Sequence, residues 1–117
     1  MIVNYNNSQT ERLFDYEIKL AIQWLFKVRD ENAKGWAWVQ FIKPNEQNTA
    51  EVISALLENS SYLNNEMYNK VAESTKEWLI NPINHAKISL DWSWVLISLL
   101  KVAQHQNVWL KVKHITA

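Results

Sequence analysis

Apolar residues recur at spacings of three and four in four separate stretches of the chain, and each stretch predicts an amphipathic helix. In the first, Phe14, Ile18, Ala21, Ile22, Leu25 and Val28 form one continuous stripe, so a helix is expected from about residue 9 to 28. Ser8 opens it: the hydroxyl can accept from the Glu11 backbone N–H while the Glu11 side chain reaches back, the reciprocal pair of a capping box. Asn48, with Glu51 three residues on, begins a second helix that buries Val52, Ile53, Leu56 and Leu57 and ends near Asn59. A third runs from about Asn65 to Ile80 with Tyr68, Val71, Ala72, Thr75, Trp78 and Leu79 on one side. Pro82 stops it, because Asn81 before a proline is pushed out of the helical region. Ser89 or Asp91 caps a fourth helix, which reaches about Gln104 with Val95, Leu96, Leu99, Leu100 and Ala103 inward.

Between these stretches the period disappears. Arg29 to Gln47 carries Gly35 and Pro44 and reads as a long loop, and a loop of that length in a compact domain is functional or is held down by its own side chains. Trp36, Trp38 and Phe41 are its anchors; in extended chain Trp36, Trp38 and Gln40 would share a face. Asn81 to Ser89 is a second loop. Residues 1–7 read as a polar leader. The tail from Val108 to Lys113 alternates, which fits a short edge strand or the first turns of a helix, and the pattern leaves both open.

The two halves echo each other. Tyr16, Trp24-Leu25, Trp36-Ala37-Trp38 and an apolar helix are followed in the same order by Tyr68, Trp78-Leu79, Trp92-Ser93-Trp94 and an apolar helix. An internal repeat of αα-hairpins accounts for this, with one hairpin at 8–60, a second at 61–105, and a tail at 106–117. The expected fold is a single all-α domain of two to two-and-a-half hairpins joined by Trp-rich loops.

Charge and composition narrow the chemistry. Twelve Lys and Arg balance twelve Asp and Glu, which argues against an electrostatic nucleic-acid binder. No acid follows Asp91, whereas Lys101, Lys111 and Lys113 do. Cysteine is absent, so disulfides, thiolate nucleophiles and thiolate zinc sites are excluded, in keeping with a reducing cytoplasm. The longest apolar run, Trp92 to Leu100, is broken by Ser93 and Ser98, and no membrane span is expected. His85, His105 and His114 have no mutual ligand spacing; no metal and no cofactor are expected.

Ala21-Ile22-Gln23-Trp24-Leu25, then Asp30, Gly35 and Trp36, then Asn48-Thr49-Ala50 opening an apolar helix, resemble the repeat of terpenoid cyclases and protein prenyltransferases over about residues 12 to 104. The resemblance implies hairpins of the (α/α) toroid type, in a degenerate copy with Val28 or Arg29 near the loop glutamine and one glycine in place of two. It also exposes missing chemistry. Where such cyclases carry Asp-x-Asp-Asp-Thr-Ala this chain has Asn45-Glu46-Gln47-Asn48-Thr49-Ala50, and an amide cannot donate the proton that starts cyclisation. The prenyltransferase zinc set needs a cysteine that is not there.

The aromatics then remain as candidate recognition groups. Trp24 and Trp78 read as core, and Trp38, Trp94 and Trp109 are open between core and pocket. The candidate residues for a ligand or partner are Trp36, Trp38, Phe41, Trp92, Trp94 and Trp109, with no catalytic residue assigned. Repeat units need neighbours to bury their sides. The expected function is therefore a non-catalytic interaction or accessory module of bacterial type, a pseudoenzyme working as an oligomer or as a subunit of a larger complex. A terpenoid cyclase subunit and a carrier of an apolar or isoprenoid molecule are the alternatives.

Overall fold

Residues 13–37, 43–84 and 92–116 are described by the computed structural model, and all the regular structure among them is helical. In chain order the helices are α1 (Asp15–Val28), α2 (Glu46–Glu58), α3 (Asn65–Thr75), α4 (Asn81–Asn84), α5 (Ser93–Gln104) and α6 (Gln106–Thr116). A 3₁₀ turn, Ser60–Tyr62, follows α2, and a π turn, Lys76–Ile80, joins α3 to α4. The all-α expectation holds. The leader, the Ser8 and Glu11 capping pair, Gln40 and the Ser89 or Asp91 cap lie outside the described residues.

α2 packs on α5, α3 packs on α6, and α5 and α6 pack on each other, so four helices enclose the core. Ala50, Ile53, Leu56 and Leu57 enter it from α2, Val71 and Ala72 from α3, Val95 and Val102 from α5, and Val108 and Val112 from α6. The α2–α5 pairing runs between the expected halves at 8–60 and 61–105, and the other two join the second half to the tail at 106–117. α1 lies on the bundle through Ile22, with Ile18, Leu25 and Phe26 partly buried beside it. Its first turn is tied down as well: Lys19 and the Tyr62 side chain bond Asp15 and hold its carboxyl below the usual carboxylate range.

Four boundaries differ from the sequence reading, the first being that of α1, which starts at Asp15 after a turn at Phe14 and not near residue 9. α2 starts earlier, because Asn45 is the cap and accepts from the Asn48 N–H at 2.8 Å. Asn48 and Thr49 are thereby already helical and buried. The third helix does not stop before Pro82. Asn81 is right-handed helical (φ −59, ψ −45) and bonds Lys76 O, five residues back. That wide turn suits a proline, which has no N–H to place and whose ring needs room over the preceding turn. The tail is a helix. Val108 and Val112, four apart, are 0% and 1% exposed against the core, so burial selects the helical reading of an ambiguous pattern.

Lys34 is the one described non-glycine residue with positive φ, at 61°. It closes a turn in which Asp30 accepts from the backbone N–H groups of Asn32, Ala33 and Lys34. Left-handed backbone strains a residue with a Cβ by about 1 kcal/mol. Lys34→Asn should therefore leave stability equal or raise it by up to about 1 kcal/mol in urea denaturation, since asparagine tolerates this region well.

Candidate interaction surface

The loop after α1 is fastened from three sides. Trp36 is 2% exposed; its indole N–H donates to Leu25 O at 2.8 Å, and its ring meets Phe26 edge-on at 6.0 Å. Its backbone N–H donates to the Thr49 hydroxyl at 3.0 Å, which in turn donates to Trp36 O at 3.4 Å. Trp78 donates its indole N–H to Ala33 O at 2.8 Å. Arg29 completes the clamp. Its side chain is 1% exposed, and it donates to Ser74 Oγ, Lys70 O, Glu31 and Glu73 while lying 5.7 Å from the Trp36 ring centroid.

The sequence-predicted residues fall into separate places. Trp36 is interior, with both of its N–H groups committed. Trp38 and Phe41 lie outside the described residues. Trp92 is half-buried and its indole N–H is buried without a partner. Trp94 and Trp109 are 38% and 41% exposed on α5 and α6. Among the described residues no ring contact joins two of Trp36, Trp92, Trp94 and Trp109. Trp78 is partly buried against the core, near its expected role. Trp24, read as core, is instead 59% exposed. The reason is geometric: Ile18, Ile22 and Leu25 occupy the inner side of α1, and Trp24 falls on the opposite side.

Trp24 does not stand alone there. Tyr16, Leu20 and Trp24 are 68%, 45% and 59% exposed, and their four-residue spacing confines them to an arc of about 80° on the helix, with Leu13, 69% exposed, just before its first turn. α1 is thus apolar on two opposite sides with only one of them covered. A helix of that kind is normally buried on both sides. The stripe is visible in the sequence as Tyr16, Leu20 and Trp24 at intervals of four, on the side of the helix away from Ile18, Ile22 and Leu25.

Between α3 and α6 runs an open groove of about 590 Å³, lined by Asn65, Tyr68, Asn69 and Glu73 on one side and by Asn107, Leu110, Lys111, His114 and Ile115 on the other. Amide and charged residues alternate there with Tyr68, Leu110 and Ile115, and the accessible surface of the walls is mostly apolar. Among the described residues no three His, Asp or Glu side chains converge to hold a metal ion, and no helix is long and apolar enough to cross a membrane. No family model, curated protein or solved structure matches the chain.

Proposed function

We propose that this chain is a non-catalytic interaction module, a degenerate relative of the terpenoid cyclase and prenyltransferase repeat, that works by docking the outer side of α1 on an apolar helix of another subunit or of a second copy. The observation that carries this reading is the exposed stripe of Tyr16, Leu20 and Trp24 opposite a buried one. Three large apolar groups in water on one helix, with Leu13 beside its start, represent unsatisfied burial, of about 1.5–3 kcal/mol per side chain once covered. Kinship with the repeat draws support from the way the Gly35-Trp36 loop meets the Thr49-Ala50 helix start, two of the pieces on which the resemblance rests beside Ala21–Leu25 and Asp30. The toroid-type hairpins, the bacterial setting and the cytoplasm belong to the same proposal.

The test is mass in solution by sedimentation, for the wild type and for Leu20→Glu. The wild type should self-associate, or co-purify with one partner from its host, and Leu20→Glu should weaken that association by roughly thirtyfold or more while leaving the helical circular dichroism intact. A wild type that stays monomeric at every concentration and captures no partner would refute the reading.

A further inference from the structure

The α5–α6 side of the bundle differs from the rest of the molecule in charge, and like the outer side of α1 it exposes apolar groups. All twelve acidic residues lie at or before Asp91, so residues 92–117 carry Lys101, Lys111, Lys113, His105 and His114 with no carboxylate side chain. A balanced chain is therefore polarised, acidic over α2 and α3 and basic over α5 and α6. The same two helices are apolar on the outside. α5 buries Val95, Ser98 and Val102 and turns Trp94, Leu96, Ile97 and Leu100 outward, at 38%, 59%, 41% and 53% exposure. α6 buries Val108 and Val112 and exposes Trp109 and Leu110, at 41% and 53%, with Lys113 and His114 in its last turn.

We propose that this side binds an anionic lipid surface. A protein partner would need an apolar groove whose rim is acidic, whereas a lipid surface supplies both properties at once: hydrocarbon just below a plane of negative charge. Trp94 and Trp109 have the amphipathic rings that settle at that boundary, and long lysine stems let an apolar face sink while the ammonium groups stay with the headgroups. Lys111 and His114 stand at the mouth of the α3–α6 groove, where amides of Asn65, Asn69 and Asn107 can hydrogen-bond a headgroup. The carboxylates bordering this side are already neutralised, Glu58 by Lys101 and Glu73 by Arg29. Among the described residues no helix is long and apolar enough to span, and the proposed attachment is to the surface. This is independent of the α1 stripe, which lies on a different helix and carries Asp15 and Glu17 in its first turn.

The experiment is flotation of the full chain with vesicles of phosphatidylcholine alone and of phosphatidylcholine with phosphatidylserine, with tryptophan emission followed in parallel. Binding to the anionic vesicles should exceed binding to the neutral ones by at least about tenfold, fall in high salt, and shift the emission to the blue. Lys111→Glu with Lys113→Glu should lower it by at least about tenfold, and Leu96→Ser with Leu100→Ser should do the same through the apolar term, each with an unchanged thermal transition. Failure to float with anionic vesicles overturns the proposal, as does equal binding to neutral ones or indifference to the lysine exchange. If vesicle binding fails and Leu96→Ser with Leu100→Ser instead abolishes self-association, the face is an interface between copies of this chain.

Discussion

Arg29→Ala should destabilise the fold by about 3 kcal/mol in urea denaturation, at the lower end of the range for breaking a buried ion pair. The guanidinium, on a side chain 1% exposed, ties the end of α1 to α3 by donating to Ser74 Oγ at 3.0 Å and Lys70 O at 3.2 Å. Its two carboxylate partners are unequal to it in burial, since Glu31 is 56% exposed at 3.1 Å and Glu73 is 40% exposed at 3.3 Å. When the arginine is removed both can rehydrate, which holds the cost to the low end. When the carboxylates are removed instead, the arginine cannot. Glu31→Gln and Glu73→Gln alone should each cost less than about 1 kcal/mol, as half-exposed pairs do. The double exchange should cost more than their sum, because it leaves the cation without a counter-charge. Arg29→Lys should recover little, because an ammonium cannot reach the hydroxyl, the carbonyl and both carboxylates from one planar fork. An Arg29→Ala protein within about 1 kcal/mol of wild type would mean that α1 is held by its apolar side alone.

The parts of this fold legible in the sequence are those set by local period. Each of the long apolar stripes became a helix because burial on one side suffices to choose it, and the end of α2 at Asn59 and the start of α3 at Asn65 fell close to where cap chemistry puts them. What escaped depends on contacts distant in sequence. Nothing near Arg29 reveals that Ser74, 45 residues on, will accept from it. Asn48 reads as the start of α2 from sequence, but Asn45 is the cap, and the already helical Thr49 bonds Trp36, 13 residues back. Trp24 was misassigned because α1 carries apolar residues on both sides, and period alone does not say which side meets the core. The candidate tryptophans divided along the same line. Trp36 is spent on the clamp, whereas Trp94 and Trp109 are left on the surface by helices whose buried sides are filled by valines.

Gly35→Ala should be comparably disruptive, costing about 3 kcal/mol in the same denaturation measurement, for steric reasons alone. Gly35 does not have a positive φ, so backbone conformation does not demand glycine here. Space does. A Cβ at this position would come within 2.7 Å of Trp78 Cδ1 and 2.9 Å of Thr49 Oγ1, and closer still to Trp78 Nε1. Neither obstacle is a free end that can swing aside. Trp78 is held by its bond to Ala33 O, and the Thr49 hydroxyl sits on α2 between the N–H and carbonyl of Trp36. The added methyl must therefore lift the loop off the helix and loosen several hydrogen bonds together, which puts the cost near the top of the usual overpacking range. Trp78→Leu in the same chain should give room back. The double variant is then expected to be less destabilised than the sum of the two single ones, by about 1 kcal/mol or more. Strict additivity would show that the methyl never met Trp78, and that the loop is seated on the bundle in some other way.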